Sequence, residues 1–72
     1  QHEDFPDDVI IYLVKDGLNP ETVWVRCEKA EKQGVKAKLI SEPKQDFGVH
    51  TNDFVVFRPA KNENGILCIA KL

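Results

Sequence analysis

Pro20-Glu21-Thr22-Val23-Trp24-Val25-Arg26-Cys27-Glu28-Lys29-Ala30-Glu31-Lys32-Gln33-Gly34 admits two secondary structures, and the fold class turns on which one forms. The helical reading has Asn19 as N-cap, Pro20 at the first helical position, Glu21 in the first turn and Gly34 just past the end. Its apolar face would be Val23, Trp24, Cys27 and Ala30, with Val25 left in water. The extended reading rests on alternation. Val23, Val25 and Cys27 face one way, and Thr22, Trp24, Arg26 and Glu28 the other. Alternation favours the strand, fading near Lys29, with Ala30-Glu31-Lys32-Gln33-Gly34 as a charged hairpin tip. The helix remains the alternative.

The flanking segments read as strands. Val9-Ile10-Ile11-Tyr12-Leu13-Val14 is β-branched and aromatic without a 3.6-residue stripe, as in a strand buried on both faces. Asp16-Gly17-Leu18-Asn19-Pro20 is turn chemistry, with Gly17 free to take positive φ. Val35-Lys36-Ala37-Lys38-Leu39 alternates apolar and lysine, the pattern of a half-buried strand. Ser41 to His50 is the longest irregular segment, punctuated by Pro43 and Gly48. Asp53 to Arg58 is a further strand, ended by Pro59. Asn64-Gly65 carries a type I′ hairpin signal, and Ile66 to Leu72 is the last strand. The expected architecture is mainly β: a small, curved, five-stranded antiparallel sheet or partly open barrel, with α+β as the outcome of the helical reading. Phe54, Phe57, Ile66, Ile69, Val23, Val25, Leu39 and the Val9–Val14 run are the expected core.

Composition sets outer bounds. With 72 residues, 42% hydrophobic and 31% charged, the chain is one small domain of ordinary globular balance. Such a domain has little room for a deep pocket, which argues against an autonomous enzyme. Its longest apolar run, six residues, is far short of a spanning helix, so no membrane role is expected. The chain starts at Gln1 and contains no Met, so it is expected either to have lost a leader or to be part of a longer polypeptide. Residues 1–8 hold four acids and no Lys or Arg, an expected frayed acidic arm on a body, 9–72, that carries a net positive charge. Cys27 and Cys68 make no metal or redox motif. They read as small buried hydrophobes, with a disulfide as the alternative, and lean towards a reducing, cytoplasmic setting.

Chemistry-bearing motifs are sparse. There is no phosphate loop, dinucleotide fingerprint or nucleophile motif. His50 lies three residues before Asp53 on an expected turn, within reach of a hydrogen bond, but without a nucleophile to serve. His2, beside Glu3 and Asp4, offers at most adventitious metal binding. No catalytic residue, cofactor or metal is expected.

The candidate binding residues are Trp24, Arg26, Lys36 and Lys38, with Phe47 and His50 on the loop. If the second and third strands form a hairpin, Trp24 and Arg26 lie near Lys36 and Lys38 on its outward face. An aromatic among cations suits a protein partner. It also suits an unstacked base and its phosphate in single-stranded nucleic acid, although the acidic overall charge weighs against a dedicated polyanion binder. A structural role is open too, with lysine stems covering the Trp24 ring. The expectation is a non-enzymatic interaction module for a protein partner, with single-stranded nucleic acid second.

Glu21 to Pro59 resembles a family of small bacterial domains of unknown function, the YegJ-like kind. The resemblance rests on Glu21-Thr22-Val23-Trp24-Val25-Arg26-Cys27-Glu28, on Ala37 to Pro43, on Asp46-Phe47-Gly48-Val49-His50 and on Asp53-Phe54-Val55-Val56-Phe57. It implies a β-rich or α+β domain, favours a strand at 22–28 and supplies no catalytic residue. The chain has Asn52 where the family pattern has Gly, and Asn also adopts positive φ.

Overall fold

The computed structural model describes residues 8–72. They form five strands: β1 (Asp8–Val14), β2 (Glu21–Glu31), β3 (Gly34–Leu39), β4 (Phe54–Asn62) and β5 (Gly65–Lys71). Each strand pairs with the next, antiparallel throughout, and β5 returns to β1 to close a barrel. In a meander with an odd strand count the first and last strands point the same way. The closing pair is accordingly parallel, Tyr12 to Val14 against Ile69 to Lys71.

The stretch 21–31 is a strand, not a helix. Val25 lies fully buried between β1 and β3, opposite Val9 and Leu39, a position that the helical reading would have left in water. The strand outruns its expected end at Lys29 because of a bulge. Pairing jumps from Cys27↔Ala37 to Lys29↔Lys36, so Glu28 is the extra residue and the parity of β2 inverts after it. Ala30 then lies opposite Val35, and only Lys32 and Gln33 remain in the turn.

β1 departs from the expected two-sided burial. Ile11 and Leu13 are fully buried, whereas Ile10 is half exposed and Tyr12 half-buried. The barrel has one inside, and alternate residues must face out of it. The same rule corrects the expected core at β4, where Val55 and Phe57 point in and Phe54 and Val56 out. Ile66, also expected in the core, is 65% exposed, and Ile69 is only half-buried.

Nor does Pro59 end β4. The ladder to β5 continues from Arg58↔Ile69 to Asn62↔Gly65, while pairing with β3 has stopped at Phe57. That side of β4 is an edge from Arg58 onward, where a residue without an N–H is tolerated. The β4–β5 turn is not type I′ either. Neither Glu63 nor Asn64 has positive φ; the Asn62 side chain instead accepts a hydrogen bond from the Asn64 N–H at 2.8 Å.

The core comprises Ile11, Leu13, Val23, Val25, Ala37, Leu39, Phe47, Val55, Phe57 and Ala70, and no polar side chain of the described residues is buried with it. Cys27 and Cys68 are half-buried, pack against this core and are not disulfide-bonded. Asp8, counted at the sequence level with the acidic arm, is the first residue of β1. The rest of that arm, with His2, lies outside the described residues. Among the described residues no helix is long and apolar enough to cross a membrane.

Candidate functional site

The outward face of β2 and β3 is built in cross-strand rows. Ile10 on β1 sits opposite Trp24 on β2, and both are about half exposed. The next row runs Asp8, Arg26, Lys38, Phe54 across four strands. A third row places Lys29, Lys36 and Val56 together. Trp24, Arg26, Lys36 and Lys38 therefore share one face.

Arg26 is engaged by its own chain. Its Nε and Nη2 donate to the two carboxylate oxygens of Asp8 at 2.8 and 3.3 Å. This forked hydrogen bond holds the Asp8 carboxyl below its ordinary value. A small cleft of about 200 Å³ opens beside the pair, between Arg26, Lys38, Ile40, Thr51 and Asn52.

The lysines cover Phe54, not Trp24. Lys36 Nζ is 4.7 Å and Lys38 Nζ 5.9 Å from the Phe54 ring centroid. Phe54 is 48% exposed, and it belongs to this face although sequence reasoning assigned it to the core. Four successive apolar residues, Phe54 to Phe57, hide the parity of β4. Arg58, on the same parity as Phe54 and Val56, was the available signal for which side faces water.

The loop from Ile40 to Asp53 closes one end of the barrel. Phe47 is not on its surface, as a binding role requires, but 2% exposed in the core. The chain there is held from outside. Glu21 accepts the Lys44 and Gln45 backbone N–H groups at 2.5 and 3.1 Å, and the Gln45 amide donates to the Asn19 carbonyl at 2.9 Å. These bonds, that from Lys44 foremost, lower the Glu21 pKa. The Ser41 hydroxyl accepts the Trp24 N–H at 3.0 Å, and the Ile40 N–H reaches the Trp24 carbonyl at 2.8 Å. The loop thereby fixes the backbone under Trp24.

His50 is at the loop surface, and its ring partner is Glu42, not Asp53. Nδ1 lies 2.6 Å from Glu42 Oε2, while Glu42 Oε1 accepts the Thr51 N–H at 2.9 Å and the Thr51 hydroxyl at 3.0 Å. Asp53 caps the turn instead, accepting the His50 backbone N–H at 2.8 Å. Asn52 holds φ at +79°, in the left-handed region that Asn tolerates. Every charged group here satisfies a neighbouring loop atom, and the cluster acts as a structural clasp.

A larger groove of about 440 Å³ runs over the outer side of β4 and β5, between Gln33, Val56, Arg58, Ile69 and Lys71. Among the described residues no group of His, Cys, Asp and Glu is arranged to hold a metal ion. Comparison with known proteins gives no match to a family model, a curated protein or a solved structure.

Proposed function

We propose that the chain is a non-enzymatic interaction module that engages a protein partner through the outward face of β2 and β3. The observation that carries this reading is the Trp24–Ile10 pair, two large apolar side chains abreast and about half exposed, bordered by the Arg26–Lys38 row. An aromatic anchor beside cations is the composition of interface hot spots, which are rich in Trp and Arg. Trp24 is also rigidly mounted, since its N–H and its carbonyl are both held by the loop, at Ser41 Oγ and the Ile40 N–H. A pre-ordered anchor loses little entropy on binding. His50 is exposed on the Ile40–Asp53 loop, and Phe47 serves by holding that loop in place. The resemblance of Glu21–Pro59 to YegJ-like domains supports a bacterial origin.

A second reading, single-stranded nucleic acid, is favoured by one observation: Phe54 lies exposed beneath both Lys36 and Lys38. A base can stack on such a ring while the amines meet phosphates.

Affinity capture from the source cell with wild type and Trp24→Ala, alongside an amide NMR titration with a mixed single-stranded oligonucleotide, tests both. A partner held by wild type and lost with Trp24→Ala supports the protein reading. If Trp24→Ala retains every captured protein, that reading fails. Oligonucleotide binding that weakens steeply with salt and vanishes in Lys36→Ala/Lys38→Ala selects the second.

A further inference from the structure

The parallel seam that closes the barrel is paired over only part of its length. Tyr12, Leu13 and Val14 meet Ile69, Ala70 and Lys71. Upstream, Asp8–Ile11 and Gly65–Cys68 run on in the same sense, yet no ladder joins them among the described residues. The far side of β5 is occupied, because Gly65 to Ile69 pair with β4. Gly65-Ile66-Leu67-Cys68 thus has one paired edge and one open edge.

This edge lacks the usual protections. Its four residues carry no charge and no proline, and Ile66 and Leu67 are 65% and 36% exposed. Successive side chains point to opposite faces, so both faces of the segment are apolar. The open edge of β4 in the same hairpin is blunted by Arg58, Pro59 and Lys61, and that of β1 begins with Asp8. Natural sheets use such residues to prevent edge pairing. They are missing on β5 alone.

We infer that two copies of this chain associate by antiparallel pairing of the Gly65–Cys68 edge about a two-fold axis, normal to the sheet, that passes between the two Ile66 residues. Antiparallel pairing of one segment with itself is self-complementary, so a single edge suffices for both partners. In this register Ile66 of one copy lies opposite Ile66 of the other on one face, and Gly65 lies opposite Leu67 on the other face. No like charges meet across the axis. The Trp24 face is on β2, beyond β1, so the inference stands apart from the proposed function.

Sedimentation equilibrium over a concentration series tests it, with Ile66→Lys/Leu67→Lys and Trp24→Ala as variants. The mass should rise from 8.2 kDa towards twice that value. The double lysine variant should weaken the dimer at least about tenfold, and Trp24→Ala should not. Both lysine sites are exposed, so far-UV circular dichroism should be unchanged. Amide exchange in wild type should slow within residues 65–68 as concentration rises, a readout that holds even if the double variant fails to fold. A monomer up to about 1 mM overturns the inference. So does an assembly that survives the double variant, one lost with Trp24→Ala, or exchange at 65–68 that ignores concentration.

Discussion

His50 Nδ1 lies 2.6 Å from Glu42 Oε2 across the β3–β4 loop, and each group moves the pKa of the other. An ionised carboxylate only accepts, so Nδ1 carries the proton. The His50 hydrogen bond, with help from the Thr51 N–H, lowers Glu42 from 4.5 to about 2, and Glu42 raises His50 above 6.5. NMR titration of the His50 ring should give a pKa above 6.5 in wild type and a lower one in Glu42→Gln. An unchanged value in the variant would show that the pair does not persist in solution.

The pair also gives a pH signature of stability. His50 is raised, so its contribution is full below 6.5 and is lost as pH rises through the folded-state value. Glu42 is depressed, so its contribution is full above 4.5 and is lost as pH falls towards about 2. The window where both act is therefore pH 4.5 to 6.5. Thermal unfolding of wild type and His50→Ala should differ most inside that window and converge at alkaline pH. A difference that grows above neutrality would refute this.

Two phenylalanines of the β3–β4 region should respond unequally to truncation. Phe47→Ala empties the core end of the barrel and should cost about 3 kcal/mol or more in urea unfolding. Phe54→Ala removes an outward ring and should cost less than about 1 kcal/mol. Equal losses would contradict the parity of β4.

Gly34 has no room for a side chain. A Cβ there would fall on the Phe57 carbonyl oxygen, and its φ of +148° already excludes most residues. Gly34→Ala should destabilise by roughly 2 kcal/mol or more, measured by chemical denaturation. Gly17→Ala meets no atom within 4 Å and carries only the strain of φ +87°, so it should cost less.

Glu21 ties the loop to β2 through the Lys44 and Gln45 amides. Glu21→Gln should speed hydrogen exchange at those two amides and leave core amides such as Val25 unchanged. Uniform acceleration would instead mean global destabilisation.

Strand positions were legible wherever one parity carried charge. Lys36 and Lys38 marked the outside of β3, and Thr22, Trp24 and Arg26 that of β2 before its bulge. Parity failed where both sides were apolar. Val9–Val14 and Phe54–Phe57 give no hint of which alternate residues face water, and Ile10 and Phe54 therefore read as core. The bulge at Glu28 is a property of the β2–β3 pairing and has no local signature. Pro59 does not mark a strand end, because its neighbours along the sheet, not along the chain, decide whether an N–H is needed. In the candidate site, the sharing of one face by Trp24, Arg26, Lys36 and Lys38 followed from alternation. The inward turn of Phe47 did not, since a loop has no period to read.

The closing ladder joins Tyr12–Val14 to Ile69–Lys71, almost the two ends of the described chain. Every other ladder connects neighbours across a turn or one loop. Closing the longest loop costs the most entropy, and here it is rewarded by the fewest pairs. In kinetic terms the meander is expected to zip from hairpin to hairpin, with this seam forming last. Unfolding should retrace the order, so amides of Tyr12–Val14 and Ile69–Lys71 should exchange before those at the β2–β3 ladder. The barrel then breathes through a single gate, the seam where the first and last strands of the meander meet.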